Sequence, residues 1–349
     1  MRIAIVGGGL AGALLALRLR QTGRRIVVDL YAGDRPRGAD ATGASGGIVR
    51  GFVTGAEACR LATASLVELH RSATLRQWAG YREVGSAYLL RPGTDPGPSV
   101  DAVNRSLPGA AEVRPAGGSP FRDLPAGTLA VVERRAGFIS PARLRDAVLR
   151  WLTATGSRIA PVPVAEVSPL PSVRLATGRT LLYDAVVVAA GPWTPRLLAA
   201  SDLADPDLRT KQIQYSIVRT GPALGAFHDD TTGLYGRPAG DGEFLLGLPA
   251  DRWDVDPAAV TADPALPDAV VACARRRLGV DGGAVVRTVV SADCYHDRPG
   301  LALRPVLPWA PLYTFTGGSG GAAKSALAAS REAAQDLMLA PEPSLIGAT

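Results

Sequence analysis

Lysine is almost missing from this sequence. Lys211 and Lys324 are the two that occur, in a chain with 38 lysines and arginines together and a net charge of +6. Nearly every cation is therefore arginine, a bias that reads, with so much alanine, glycine and proline, as base-composition pressure. It singles out the two lysines. The arginines are scattered and not massed in runs, which gives nucleic-acid binding no support. No apolar run reaches the ~18 residues that a membrane-spanning helix needs, so no membrane partner is expected. Three cysteines, Cys59, Cys273 and Cys294, have neither metal-type nor disulfide-type spacing; a reducing cytoplasm is the expected location, and no metal centre is expected. The three histidines, His70, His228 and His296, are scattered and read as structural or solvent-facing. No residue reads as an obligatory acid–base catalyst. Aromatic residues make up 5% of the chain, so each of them is as readily a core residue as a pocket residue.

What is present in quantity is apolar and glycine-rich. Hydrophobic residues at 47% over 349 positions provide for a large core, in two domains or one large one. Ile3, Ile5 and Val6 form a short apolar run of the kind that makes a buried parallel strand. It stops at Gly7-Gly8-Gly9-Leu10-Ala11-Gly12, which satisfies G-x-G-x-x-G, and a helix-period segment with Leu14, Leu15, Leu17 and Leu19 follows. In that pattern Gly7 allows the tight turn, Gly9 lets the backbone approach a pyrophosphate, and Gly12 lets helix and strand pack closely. The phosphates then lie on the helix N-terminus, where unpaired N–H groups and the dipole favour anions. A second parallel strand is expected over Ile26–Tyr31. An acid near its end should hold the ribose hydroxyls: Asp29 is the candidate and Asp34 the fallback, with a solvated strand-end acid as the plain alternative for both.

Further along, residues 33–51 read as a glycine-rich loop, 55–78 as one helix and 92–120 as surface loop. Ser140-Pro141 is an N-cap followed by an N1 proline, opening a helix to about Leu152. Ile159–Val167 and Leu181–Ala190 read as strands, and 211–289 as antiparallel strands with one helix around Pro267–Leu278. Leu312–Thr316 reads as a strand, Gly317–Gly321 as a glycine turn, and the chain closes with a helix to about Leu339. No internal repeat is found.

Six segments in this order, GGGLAG, GASGGIVR, AGFISPARLRDAVLRWL, DAVVVAAGPW, LYGRPAGDGEFLLG and GGSGGAAK, resemble the FAD-dependent D-amino-acid oxidase superfamily, nearest its sarcosine oxidase and glycine oxidase branch. The resemblance implies an α/β fold, α+β overall: a Rossmann-type FAD-binding domain under a mixed, largely antiparallel substrate-domain sheet. The expected division is 1–80, 136–200 and 290–349 for FAD, and 81–135 and 201–289 for substrate. The cofactor set it implies adds to Gly7, Gly9, Leu10, Ala11, Gly12 and Asp29 the loop residues Ala44, Ser45 and Gly46. Val164 is placed at the adenine, Gly191 at the diphosphate, and Gly318, Ser319, Gly320 and Gly321 at the pyrimidine side of the flavin. There a helix N-terminus stabilises the negative charge of the reduced ring.

By the same resemblance Arg50, ending GASGGIVR, and Lys324, ending GGSGGAAK, hold a substrate carboxylate; the alternative for Arg50 is a surface arginine. Arg offers a bidentate fork and Lys a point charge. Tyr215, Tyr235 and Arg237 are candidates to line the pocket. Cys294 falls in the segment where relatives attach FAD covalently, so a thioether there and an inert buried thiol are both open. The basic residue that promotes reaction with O2 in sarcosine oxidases aligns with Leu245. The implied activity is oxidation of the C–N bond of an amino acid or cyclic secondary amino acid, by hydride transfer to flavin N5, in a monomer or homodimer with O2 as candidate acceptor. A dehydrogenase that does not use O2, an NAD(P)H-dependent flavin monooxygenase and a non-catalytic binding protein are the alternatives.

Overall fold

The computed structural model describes residues 1–23, 25–33, 40–117, 120–219, 224–279 and 283–339. Asp34 lies outside them. A six-stranded sheet forms the base, in the order Ala302–Pro305, Leu312–Thr316, Ala185–Val188, Arg2–Val6, Val27–Tyr31 and Arg158–Ala160. All its pairings are parallel except the edge pair Ala302–Pro305 with Leu312–Thr316. Such a sheet must be covered on both faces, and the alternation along Arg2–Val6 shows how. Ile3 and Ile5 enter one core with helices Leu10–Gln21, Pro141–Ala154 and Ala322–Leu339; Ala4 and Val6 enter a second, with Val167, Val173, Leu175 and Leu208.

The second large sheet has eight strands, ordered Val285–His296, Leu208–Arg219, Glu243–Gly247, Tyr235–Gly240, Ala226–Asp229, Ser86–Leu89, Leu129–Glu133 and Ala111–Pro115. Only Ala226–Asp229 with Ser86–Leu89 is parallel. Its two long strands run paired from Leu208 opposite His296 to Val218 opposite Val285, and their far end reaches the second core through Leu208 and Cys294. This strand crosses residue 290, where the sequence puts a change of domain. Two three-stranded sheets complete the architecture, Val164–Ser168 with Ser172–Leu175 and Thr180–Leu182, and Ile48–Val49 with Gly137–Phe138 and Arg82–Glu83.

Several boundaries move for local reasons. The helix expected over 55–78 is two, Ala56–Arg71 and Ala73–Ala79, because Ser72 turns to an extended conformation and caps the second by accepting from the Leu75 N–H. The loop expected over 92–120 contains a helix, Gly97–Ser106, whose Val100 and Val103 are buried, and the strand Ala111–Pro115. The strand expected over 159–167 is split between two sheets, Arg158–Ala160 and Val164–Ser168, since Pro161 and Pro163 have no N–H to give a ladder. Likewise Leu181–Ala190 is split into Thr180–Leu182 and Ala185–Val188. The helix at Pro141 starts as expected, with Ser140 Oγ accepting from the Arg143 N–H at 3.3 Å. No helix among the described residues is long and apolar enough to cross a membrane.

Candidate active site

A single cavity of about 1680 Å³ is lined by residues of both large sheets, well above the ~300–1,000 Å³ of a pocket for one small ligand. One end is built on the opening glycines. Gly7 has φ +122°, and a Cβ there would lie 2.2 Å from the Ala189 carbonyl oxygen; Gly12 would place one 2.1 Å from the Gly7 carbonyl oxygen. Gly12 therefore packs the helix on the turn and does not itself line the cavity, whereas Gly7, Gly9, Leu10 and Ala11 do. The first turn of this helix has no acidic residue, and amides at a helix start have no intrahelical acceptor. That combination is a seat for an anion.

The loop leading to Arg50 is tied to this turn. Thr42 Oγ1 accepts from the Leu10 N–H at 3.0 Å, and Asp40 accepts both the Gly43 N–H (2.7 Å) and Arg145 (2.8 Å). Ala44, Ser45 and Gly46 then pass along the cavity wall. Opposite them, Arg237 donates to the Gly46 carbonyl and lies over the Phe138 ring. It is a clamp between the loop and the eight-stranded sheet and does not line the cavity. Val164 and Gly191, the latter at φ +55°, line the same space. At the other end Gly317 (φ +82°) turns the chain after Leu312–Thr316. Gly318 follows, where a Cβ would lie 2.6 Å from that of Ala322. Gly318, Ser319, Gly320 and Gly321 all line the cavity and feed the helix Ala322–Leu339, whose first turn also has no acid.

Arg50 and Lys324 come from the two ends of the chain to this cavity. Arg50 is placed by its backbone: Glu133, buried at the end of its strand, accepts from the Gly51 and Phe52 amides at 2.8 and 3.1 Å. The guanidinium donates through Nε to the Phe52 carbonyl (3.0 Å) and stacks 4.6 Å over the Tyr88 ring. Among the described residues it has no ion-pair partner, and burial lowers its pKa. Lys324 projects from the first turn of its helix. Burial, and then the charge of Arg50, push its ammonium down to about 7. Two desolvated cations that line one cavity and have no ion-pair partner among the described residues are suited to an anion.

Phenols line the same cavity. Tyr215 and Tyr235 line the cavity, joined by Tyr295, which sequence reasoning missed. Burial raises all three pKa values, and the charges of Arg237 and Arg287 oppose this at Tyr215. Leu245, fully buried, lies behind them with Tyr215 and Ile217, in contact range of Gly46.

Two of the residues named from the sequence lie away from the cavity. Asp29 does not line the cavity. It is 3% exposed and accepts from Arg2 (2.6 Å) and the Tyr183 hydroxyl (2.7 Å), with Tyr31 2.5 Å from Tyr183 in turn. Buried and held by these two donors, the carboxylate is turned away from the cavity. Cys294 does not line it either. Alternation along Val285–His296 turns Asp293 and Tyr295 to the cavity and puts Cys294, 1% exposed, into the second core, where burial pushes its thiol up to about 11.

Four further residues of the cavity carry chemistry that the sequence reading did not assign: Asp293, Lys211, His228 and Tyr295. The Asp293 carboxyl has one hydrogen bond, from the Cys294 N–H at 3.0 Å, and burial raises it to about 7. Lys211, across the ladder from Asp293, lies over the rings of Trp253 (4.4 Å) and Tyr295 (5.9 Å). Both lysines of the chain thus face one cavity. His228, read as structural, stands between Tyr88 and Tyr235. Asp205, Asp207 and His296 form one group of the kind that holds metals, with ligand atoms within 4.8 Å of one another, but none lines the cavity. The His296 Nδ1 is moreover taken by the Arg298 N–H at 2.9 Å.

Solved structures resemble the whole chain. Glycine oxidase from Geobacillus kaustophilus aligns at 18% identity and TM-score 0.74, over 96% of this chain and 94% of that one. NikD, described as an unusual amino acid oxidase essential for nikkomycin biosynthesis, aligns at 23% identity and TM-score 0.73, over 97% and 93%. L-proline dehydrogenase from P. horikoshii aligns at 17% and 0.74, over 96% and 92%. At these identities the likeness is one of fold. No curated protein sequence matches the chain. The sequence model of the family described as FAD dependent oxidoreductase, DAO, matches residues 2–336, and the chain belongs to that family of FAD-dependent oxidoreductases.

Proposed function

We propose that the enzyme oxidises the C–N bond of a small amino acid or secondary amino acid to an imine. The observation that carries this is the pair Arg50 and Lys324, two cations lining one cavity with no carboxylate partner among the described residues. They fit a substrate carboxylate: Arg50 as a fork anchored through Nε, Lys324 as a mobile point charge. The three named neighbours, an oxidase of glycine, an amino acid oxidase and a dehydrogenase of L-proline, support the same class.

The cavity fits FAD. The pyrophosphate would lie on Gly7, Gly9, Leu10 and Ala11, with Ala44, Ser45 and Gly46 alongside, Val164 at the adenine, Gly191 at the diphosphate, and Gly318–Gly321 at the flavin. The parallel-sheet unit holds the cofactor in this reading and the eight-stranded sheet covers the substrate. When bound, FAD supplies a two-electron acceptor for the C–H bond next to nitrogen. The protein's own part is orientation. Arg50 and Lys324 fix the carboxylate, and Tyr215 and Tyr235 wall the substrate and exclude water. Positioning of this kind is enough to account for much of a barrier. The attachment is non-covalent, because Cys294 is turned into the core.

A dehydrogenase acting with an acceptor other than O2 is the second reading. Leu245, aliphatic and fully buried against the loop, favours it. The test is anaerobic addition of glycine, L-proline or iminodiacetate to the purified yellow protein. Bleaching by one of them is the expected result; no bleaching by any carboxylate-bearing amine refutes the reading. Mixing the bleached enzyme with air then separates oxidase from dehydrogenase. Acid precipitation should leave the yellow colour in the supernatant.

A further inference from the structure

We infer that His228, oriented by Asp230, is the base that takes the proton from the ammonium of the bound amino acid. The inference rests on the reading of the cavity as an amino-acid site and adds to it the proton step that site requires. An α-amino acid arrives at neutral pH as an ammonium, which has no lone pair to drive the oxidation of its carbon. A proton must leave before the C–N carbon can give up electrons, so some group in the cavity has to accept it.

His228 is built for this. It stands on the strand Ala226–Asp229 and lines the cavity with Arg50 and Lys324. Its ring is held by the ring of Tyr88 at 4.9 Å and that of Tyr235 at 6.5 Å. Its Nε2 lies 3.0 Å from Asp230 Oδ1, which also accepts the Tyr88 hydroxyl at 2.8 Å. Asp230 is itself fixed at both backbone ends, its N–H donating to the Leu89 carbonyl (3.0 Å) and its carbonyl accepting from Arg91 (2.9 Å). Burial pushes the Asp230 carboxyl up, but the hydrogen bonds from His228 and Tyr88 bring it below its ordinary value, so it is a carboxylate. A carboxylate facing Nε2 places the proton of the neutral ring there. The lone pair is left on Nδ1, which has no hydrogen-bond partner among the described residues.

The groups that face the ring decide whether it is neutral. Asp230 and, from their own elements, Tyr88, Tyr235, Arg50 and Lys324 are those groups. Burial lowers the imidazole, Asp230 pulls it back up, and Arg50 and Lys324 push it down again, with a result below 6.5. The ring is therefore a free base at neutral pH. The phenols are not rivals, since burial raises Tyr88 to about 12 and moves Tyr215 and Tyr235 upward as well. A carboxylate held by Arg50 and Lys324 sets the amino nitrogen, two bonds from its carbon, among these groups. One N–H bond of the ammonium breaks, an Nδ1–H bond forms, and the electron pair stays on the substrate nitrogen. The two cations lower the proton affinity of the amine as they lower that of the ring, which keeps the transfer from being strongly uphill.

The experiment is anaerobic reduction of the FAD-loaded enzyme by glycine, L-proline and iminodiacetate, following the limiting rate at saturating substrate across pH. In the wild type it should rise through a pKa below 6.5 and then stay level. In His228→Gln the level region should disappear, with the rate climbing about tenfold per pH unit toward the pKa of the bound amine and approaching the wild type at high pH. Asp230→Asn should move the wild-type limb to lower pH, because the ring loses the charge that holds it up. Flavin absorbance of each variant verifies that it folds. A His228→Gln profile of unchanged shape, whatever its height, overturns the assignment, and so does an unmoved limb in Asp230→Asn. If none of the three amines bleaches the wild type, the amino-acid reading itself fails and takes the base with it.

Discussion

In the proposed reading, Lys324 makes carboxylate binding a proton-linked event. Burial and the charge of Arg50 bring its ammonium from the ordinary 10.5 down to about 7, a difference worth roughly 5 kcal/mol against the charged form. A carboxylate docked between Arg50 and Lys324 needs that charge, so above pH 7 each molecule bound draws one proton onto the lysine. Below pH 7 the lysine is already charged and affinity should be level. Above it, affinity for a non-oxidisable acid such as acetate should fall about tenfold per pH unit, to about a hundredfold by pH 9. Titration of the flavin absorbance at fixed ionic strength measures this. Lys324→Met should bind acetate about 10–100-fold more weakly at pH 6, the worth of a charged hydrogen bond, and show no pH dependence. The linkage also sets a sign for stability. The folded pKa is depressed, so the cost of burying the charge is full below pH 7 and shrinks as the pH rises toward 10.5, and the ligand-free protein should become more stable over that window. Acetate affinity that is level from pH 6 to 9, or a Lys324→Met variant with the wild-type pH curve, refutes the reasoning.

Three other outcomes follow from the geometry. Arg50→Ala should weaken acetate binding by about 2–4 kcal/mol while FAD affinity changes little; equal losses measured by the two titrations would make Arg50 part of the cofactor site or the scaffold. Asp29→Ala leaves Arg2 and Tyr183 without their acceptor and should cost about 1–3 kcal/mol of stability, with FAD affinity unchanged; a tenfold loss of FAD affinity at constant Tm would return Asp29 to the ribose. Asp293→Asn should stabilise the ligand-free protein at neutral pH, by roughly 4 kcal/mol at most, since a carboxyl raised from 3.8 to about 7 destabilises the fold as pH climbs through that range; a variant that melts below the wild type at pH 8 would show that Asp293 has a partner when the cavity is empty.

The strand, glycine turn and helix at Gly7–Gly12 were legible because the apolar run, the glycine spacing and the helical periodicity that specify them are local, although Ala189, Ala32 and Thr42 complete the turn from elsewhere in the chain. Arg50 and Lys324 were found because a family pattern names both positions, and their shared cavity needs the whole fold. What sequence could not supply is the phase of a strand end. Asp293 and Cys294 are neighbours, and moving by one residue exchanges cavity for core; nothing in ADCYH says which faces which. The same uncertainty put Asp29 at the ribose, whereas two residues on it is Tyr31, Ala32 and Gly33 that line the cavity. For a different reason His228, read as structural or solvent-facing, was not picked out as a cavity residue. A lone histidine between Phe227 and Asp229 carries no signal. The role proposed for it rests on Arg50, Tyr88, Asp230, Tyr235 and Lys324, which only tertiary structure collects.

Both lysines line one cavity, Lys324 set within it and Lys211 partly exposed beside Trp253. Reagents that couple to lysine on most proteins have two targets here besides the chain's amino terminus. With its ammonium brought down to about 7, Lys324 has a share of the nucleophilic free amine at neutral pH that an ordinary lysine lacks. Apart from the amino terminus, acylating dyes and aldehyde fixatives therefore have only cavity-lining amines to react with, and in the proposed reading a bound carboxylate would shield Lys324.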